Sequence, residues 1–245
     1  MAVKIGSARI DERNKASGGK AGDQTGSELS AQNWYKHSKG WRVLRCNDSA
    51  KAEKIATAME AACANNNIGY DQSERLTLYN KAKSVGFDPV KVIDKCETDC
   101  SALVRICLAY AGITTDNFIT SNEAKAILAT GCFTELTDSK YTDNPDYLKR
   151  GDVLVTKKKG HTVVVLSNGT KIADATETGT TAGKRVTITG NSVNIRLGNS
   201  TAFGVIACVD KGTSYEYVAT AENGWNAVVI GDKVGWVSGK YSKVE

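Results

Sequence analysis

The carboxyl-terminal part of the chain, residues 186–245, is a succession of short β-forming runs separated by Gly, Asn and Ser turns. The runs are residues 186–188, 193–196, 205–209, 214–219, 225–230 and 233–238. Short strands at such regular spacing predict a small all-β barrel or sandwich. The small polar residues of 179–185 are typical of a linker. Residues 1–178 are therefore predicted to form a separate domain.

Helical patterns dominate the middle of this amino-terminal domain. Ser49 is the predicted N-cap of a helix over residues 50–64, and a second helix is predicted to follow Asp71. Residues 98–110 are apolar on nearly every side, which predicts a helix buried in the core. The first 33 residues are rich in Gly, Ser, Lys, Asp and Asn, and we expect turns and loops there.

β-forming runs replace the helices later in the domain. Residues 153–155 and 160–166 are rich in β-branched residues, and Asn168-Gly169 is a strong signal for a hairpin turn. Residues 170–175 are therefore predicted to form the return strand of that hairpin. Helices followed by antiparallel strands predict an α+β fold in which the helices pack on the sheet.

The chain contains seven cysteines but only two histidines, His37 and His161. An odd number of cysteines in 245 residues does not fit a disulfide framework, and no paired spacing matches a zinc site. We therefore expect neither a metal nor a cofactor. His37 lies among Lys, Ser and Gly and is expected to be exposed, which leaves His161 as the candidate base for cysteine chemistry.

Cys100 occupies the position that most favours a reactive thiol. It is predicted to lie in the first turn of the buried helix, after the capping residue Thr98 or Asp99, where the helix dipole and free amides favour the thiolate. His161 opens a β-branched run, and Asp174 on the predicted return strand can hold the imidazole ring. The residues alone also leave open that Cys100 is an ordinary core cysteine.

Three segments of the domain resemble the NlpC-type and CHAP-type papain-like cell-wall peptidases. They are Asp99-Cys100-Ser101, residues 148–154 and residues 160–165. In that superfamily the cysteine is the nucleophile, the histidine at the start of a strand is the base, and a polar residue on the next strand orients it. The resemblance implies a papain-like fold and these three roles for Cys100, His161 and Asp174.

Two positions depart from the pattern of that superfamily. Ala102 stands where the family often has Gly after Asp-Cys-Ser. The third residue of the family is often His, Asn or Gln, so Asp174 is also a departure, and Glu177 is the nearest alternative.

The stretch from Gly18 to Gly26, with aromatic residues behind it, resembles the start of phage endolysin catalytic domains. The resemblance implies an oxyanion-donor role for Gln24 and a substrate-amine contact for Asp23; a structural turn held by Asp23 is the alternative. Ser101, beside the nucleophile, is a further candidate for substrate binding. Trp34, with Tyr35 and Trp41, is a candidate cleft wall, although core packing is expected for two of these three aromatic residues.

The tail resembles bacterial SH3-like cell-wall-binding domains. The matching residues are 192–196, 205–206, 211–213, 223–225, 235–238 and 240–241. The resemblance implies that this domain binds the wall, with Tyr215, Tyr217 and Trp225 as candidate contacts.

A cysteine hydrolase joined to a wall-binding domain resembles a phage endolysin, in which the binding domain raises the local substrate concentration. The resemblance implies hydrolysis of a peptidoglycan amide, with the N-acetylmuramoyl-L-alanine bond favoured over a bond of the stem peptide. The alternative is a non-catalytic wall-binding or adhesion protein.

Charge and hydropathy limit the other partners of the chain. The net charge is +5 without a dense basic stripe, which fits a solvated surface as well as nucleic acid or an anionic cell wall. The resemblance to wall hydrolases implies peptidoglycan, and not nucleic acid, as the partner. No apolar run approaches the ~20 residues of a membrane span, and no signal-peptide core is visible. We expect synthesis in a host bacterial cytoplasm and action on the wall after release. No oligomeric state is predicted.

Overall fold

The computed structural model describes residues 2–172, 184–221, 223–231 and 233–245. The chain divides into two compact units, Met1–Ala173 and Asp174–Glu245. The first unit combines helices with an antiparallel sheet and the second is built from strands, which confirms the predicted order of an α+β part and a β part. Most of the predicted linker, residues 179–185, lies outside the described residues.

The first unit is built around one large sheet. The strands of this unit are β1 (Lys4–Ala8), β2 (Leu29–Asn33), β3 (Trp41–Cys46), β4 (Ile68–Tyr70), β5 (Cys96–Thr98), β6 (Phe133–Leu136), β7 (Val153–Thr156) and β8 (Thr162–Val165). Its α-helices are α1 (Ser49–Ala64), α2 (Thr77–Lys83), α3 (Cys100–Tyr110), α4 (Glu123–Leu128) and α5 (Ser139–Thr142). Six strands form the antiparallel sheet in the order β2-β1-β8-β7-β3-β6, while β4 and β5 form a separate parallel pair.

This sheet is buried on both faces. Successive residues of a strand point to opposite sides, and here both sets of side chains lie in a core. Leu44 and Val164 belong to the larger core, which also contains the apolar residues of α1 and α3. Ile5, Trp41 and Val163 belong to a smaller core formed by the alternate positions. α3 therefore packs against the sheet face next to β8.

The three principal helices form where the sequence predicts them. α1 begins one residue earlier than predicted, because Asp48 rather than Ser49 is its N-cap and accepts the amides of Ala50 and Lys51. α3 is buried along most of its length and begins at Cys100, with Asp99 as the N-cap. Among the described residues, no helix has both the length and the apolar character that crossing a membrane requires.

The predicted hairpin after β8 is wrong. Residues 170–172 are helical, and the antiparallel partners of β8 are β7 and β1. A Cβ on Gly169 would lie 2.2 Å from the carbonyl oxygen of Pro145 and 2.3 Å from that of Asp146. Glycine is therefore required at position 169 because two backbone segments approach each other closely, and not because of a hairpin turn.

The first 33 residues contain two strands where loops are predicted. β1 pairs with β2 on one side and with β8 on the other. Its sequence conceals the strand, since Gly6 and Ser7 interrupt the β-forming pattern. A Cβ on Gly6 would lie 2.7 Å from Met59 Cγ, so packing against α1 requires the small residue. This strand places the amino terminus beside β8.

The second unit forms a sheet of seven strands. They are β9 (Arg185–Ile188), β10 (Val193–Arg196), β11 (Val205–Val209), β12 (Ser214–Thr220), β13 (Trp225–Ile230), β14 (Lys233–Ser238) and β15 (Ser242–Val244). The order is β11-β10-β14-β13-β12-β9-β15. All six predicted strands are confirmed, and β15 is an additional one. Val186, Ile195, Val228 and Val237 are among the residues that form its core.

Candidate active site

Cys100 is the first residue of α3 and lies beside the start of β8. The N-cap residue Asp99 is extended, and its carboxylate accepts the Ala102 amide at 2.7 Å. Cys100 is only 6% exposed, and the backbone amide of Thr162 lies close enough to its sulfur to lower the pKa of the thiol. Because Thr162 directly follows His161, this contact places the thiol next to the chain segment that carries the imidazole.

The surroundings of Cys100 favour the protonated thiol. Burial, followed by the negative charges of Asp99 and Glu123, raises the pKa of the Cys100 thiol well above its ordinary value. The backbone amides of Thr162 and Ser101 act in the opposite direction. The predicted position at the helix start is confirmed, but burial and the neighbouring charges outweigh the amides that were expected to favour the thiolate.

His161 is held by the sheet in its neutral form. Its Nε2 lies 3.2 Å from Ser7 Oγ on β1. Its backbone N–H donates to Thr156 Oγ1, and its carbonyl accepts the Thr156 amide, so β7 fixes the main chain. Burial, with smaller contributions from His37 and Arg9, lowers the pKa of His161 to about 4. A neutral imidazole at physiological pH can accept a proton from a thiol.

Ser7 is the hydrogen-bond partner of His161 that sequence reasoning misses. It is 1% exposed and lies on β1, the strand next to β8. The expected partner Asp174 and its alternative Glu177 both lie outside the described residues. Residues 170–172, the described part of the predicted return strand, are helical and do not pair with β8. Ser7 follows Gly6 in β1, a short strand that the sequence did not reveal, so no local pattern identified this hydroxyl.

A cleft of about 470 Å³ opens beside the histidine. It is lined by Arg9, Ile10, Gln32, Tyr35 and His161. Burial raises the pKa of the Tyr35 phenol, and the Cys100 thiolate would raise it further, so this ring lies near both catalytic candidates. Among the described residues, the lining contains the cationic Arg9 and no carboxylate. Such a cleft suits a ligand that carries a negative charge.

A buried ion pair holds the first turn of α3. Arg75 donates to Asp99 Oδ2 through Nε at 2.6 Å, and its Nη2 donates to Ser101 Oγ at 3.0 Å and to the Phe118 carbonyl at 2.7 Å. Ser101 Oγ donates to the second Asp99 oxygen at 2.9 Å. Ser101 therefore supports the N-cap, and Arg75 fixes the helix start that presents Cys100. Arg75 is not part of a motif that the sequence analysis recognises, so its role emerges only from the structure.

Asp23 and Gln24 hold their own loop together. The Asp23 carboxylate accepts backbone amides from residues 25–28. The Gln24 side-chain amide donates to the carbonyls of Ala21 and Gly22 at 3.1 and 2.6 Å. Neither residue lines the cleft at the histidine. The structure therefore favours the turn-forming alternative for Asp23 and turns the amide of Gln24 toward its own loop.

Of the three aromatic residues expected near the cleft, only Tyr35 lines it. Trp34 packs against the smaller core, where Trp41 is fully buried. Trp41 Nε1 donates to the Tyr35 carbonyl at 2.8 Å and so fixes the backbone of the residue at the cleft. The expectation that two of the three residues are core residues agrees with this arrangement.

In the second unit, the predicted wall-binding residues separate into two groups. Tyr215 and Tyr217 are partly buried and pack against the core of the sheet. Trp225 lines a groove of about 640 Å³. Its lining also includes Tyr241, Arg196 and Lys240 and, in the part of this unit that the structure describes, no Asp or Glu. Two cations and two aromatic rings make this groove suited to an anionic ligand.

In the part of the chain that the structure describes, no group of three or more His, Cys, Asp and Glu residues could hold a metal ion.

The first unit matches a known protein family. The model of the endolysin-like domain family (ELLD) matches residues 5–172, which is more than half of the chain. The matched segment contains Ser7, Cys100 and His161 and ends before the second unit. No curated protein matches the chain.

Proposed function

Because the chain belongs to the endolysin-like domain family, we propose that it hydrolyses bacterial peptidoglycan with Cys100 as the nucleophile and His161 as the base. Action on the cell wall is the general activity that this family indicates. The proposal also includes the cysteine mechanism and an NlpC-type or CHAP-type papain-like fold for the first unit. The observation that carries it is the proximity of the Thr162 amide, one residue from His161, to the Cys100 sulfur.

The proposed reaction begins from a neutral thiol and a neutral imidazole. His161 takes the Cys100 proton through Nδ1 as the sulfur attacks the amide carbonyl, while Ser7 holds Nε2. The amides of Ser101 and Thr162 stabilise the thiolate as it forms. The imidazolium then protonates the leaving amine, and water hydrolyses the resulting thioester. His161 removes the proton from that water and returns it to the sulfur.

The proposed bond is the amide between N-acetylmuramic acid and L-alanine. A bond within or between stem peptides, cleaved by the same mechanism, is the alternative. Mass spectrometry of digested cell wall separates the two. New amino-terminal L-alanine on intact stems identifies an amidase, whereas shortened stems identify an endopeptidase. We further propose that the enzyme is encoded by a phage, made in the host cytoplasm, and active on the wall after release.

Replacing the nucleophile tests the mechanism. Cys100→Ala is expected to abolish the loss of turbidity of purified walls, because no other group supplies the attacking sulfur. Cys107→Ala is the matched control, since Cys107 is a fully buried cysteine on the same helix and outside the site. Wall lysis by Cys100→Ala would refute the proposal. Absence of lysis by the unmodified chain, with wall binding retained, would favour the non-catalytic alternative.

The second unit is proposed to be an SH3-like domain that binds the wall through its groove. Trp225 and Tyr241 offer aromatic faces, and Arg196 and Lys240 offer positive charge. Stem peptides of peptidoglycan carry carboxylates, which these cations complement. Tyr215 and Tyr217 are proposed to support the sheet that forms the groove.

A further inference from the structure

Glu123 is a fully buried carboxyl beside the candidate active site and has no role in the mechanism above. It begins α4 and is 0% exposed. Its Oε1 lies 2.7 Å from Thr162 Oγ1. Its Oε2 is buried and has no hydrogen-bond partner in the part of the chain that the structure describes. An ionised carboxylate at this position would therefore hold negative charge on an oxygen without compensation.

The contacts of Thr162 indicate which group carries the proton. Thr162 Oγ1 lies 2.7 Å from Glu123 Oε1 and 2.9 Å from the Leu154 carbonyl oxygen. A hydroxyl has one proton to donate, and a carbonyl can only accept. Both contacts are hydrogen bonds when Thr162 donates to Leu154 and Glu123 donates to Thr162. This arrangement requires a protonated Glu123.

Burial and the charges around Glu123 also favour its protonated form. Burial raises the pKa of Glu123 to about 8, a result to which the charge of Asp99 adds, while the charge of Arg75 acts in the opposite direction. Arg75 is already paired with Asp99 at 2.6 Å, so its charge is largely compensated. Cys100 is a further titratable neighbour, and negative charge on Glu123 disfavours its thiolate.

We propose that Glu123 is a positioning residue that acts in its protonated form. It donates to Thr162 and so fixes the segment that carries both His161 and the amide next to the Cys100 sulfur. By remaining neutral it also keeps a second negative charge, besides Asp99, away from the thiolate. This inference rests on the proposed role of Cys100 as the nucleophile.

The test compares Glu123→Gln with the unmodified full-length chain. Glutamine keeps the shape, donates to Thr162 through its amide, and stays neutral at every pH. Alkylation of Cys100 by iodoacetamide, followed by mass spectrometry of its peptide, is expected at equal rates in both proteins at pH 6.5. By pH 9.5 the variant is expected to react about tenfold faster, since a neighbouring like charge shifts a pKa by about one unit.

Glu97→Gln is the matched control. Glu97 is another buried carboxyl with both oxygens unpartnered among the described residues, and its pKa is raised to about 8 by burial and by other acidic residues. It lies on β5, and its substitution is expected to leave the Cys100 alkylation profile unchanged. Identical profiles for Glu123→Gln and the unmodified chain would overturn the inference.

Infrared spectroscopy tests the proton directly and does not depend on catalysis. The unmodified chain at pH 7 is expected to show a carbonyl band of a protonated carboxyl that disappears in Glu123→Gln. Absence of that difference would overturn the inference even if Cys100 is the nucleophile. Failure of Cys100 to react at any pH, with the infrared difference present, would instead refute the proposed nucleophile and leave the protonation of Glu123 established.

Discussion

Ser7 shows how much of the candidate site depends on one hydroxyl. Its Oγ lies 3.2 Å from His161 Nε2, and both residues are held by adjacent strands. A serine is a weaker partner than the carboxylate or amide that the sequence led us to expect. Orientation of the ring therefore depends on the rigidity of the sheet as well as on the hydrogen bond.

We predict that Ser7→Ala slows wall lysis about tenfold, because it removes a hydrogen bond that contributes ~1 kcal/mol and frees the imidazole to rotate. Lysis rates of folded proteins, checked by circular dichroism, measure the effect. Ser167→Ala is the control, since that hydroxyl accepts the Lys4 amide at the other end of β8. Equal rates for Ser7→Ala and the unmodified chain would indicate that another group orients His161.

At the scale of elements, the start of α3 joins stability to the candidate site. Asp99 caps the helix and pairs with Arg75, and both side chains are largely buried. Each partner compensates the charge of the other, so removal of one leaves a buried charge alone.

We predict that Arg75→Ala destabilises the protein by about 3 kcal/mol, because it leaves the Asp99 carboxylate without its cation. Asp99→Ala is expected to be at least as severe, since it also removes the N-cap, which contributes ~1 kcal/mol. Urea denaturation measures both variants. The double variant is expected to lose less than the sum of the two single losses. Strict additivity would show that the ion pair does not couple the two residues.

Sequence patterns revealed the elements that local composition marks. The buried helix at Cys100 was predicted from a run that is apolar on nearly every side, and the six strands of the second unit from short β-forming runs between turns. β1 was missed because Gly6 must leave room for Met59, a packing requirement that no local pattern expresses. The false hairpin at Asn168-Gly169 arose in the same way, since Gly169 leaves room for the carbonyl groups of Pro145 and Asp146, which are distant in the sequence. Ser7 could not be found without β1.

At the scale of the whole molecule, two units divide chemistry and binding in the proposed function. The residues of the candidate active site lie in the first unit, and the groove with Trp225 lies in the second. Binding of the wall by one unit raises the concentration of bonds available to the other.

We predict that Trp225→Ala slows lysis of intact walls at least tenfold and leaves the cleavage of small soluble wall fragments unchanged. The reason is that a fragment gains nothing from being held on a surface. Lysis assays and chromatography of fragments measure the two activities. Tyr217→Phe is the control, because its ring packs against the core and only its hydroxyl, bonded to Thr220, is lost. Equal loss on both substrates would contradict a separate binding role.

The hydrogen bond between Ser7 and His161 connects residues that are 154 positions apart in the chain. On a ribosome, the hydroxyl emerges almost first and the imidazole almost last of all residues in the first unit. A nascent chain therefore lacks an oriented base until synthesis of this unit is nearly finished. Loss of the segment that carries Ser7 would likewise leave the ring of His161 without this hydrogen bond, even though Cys100 and His161 would both remain.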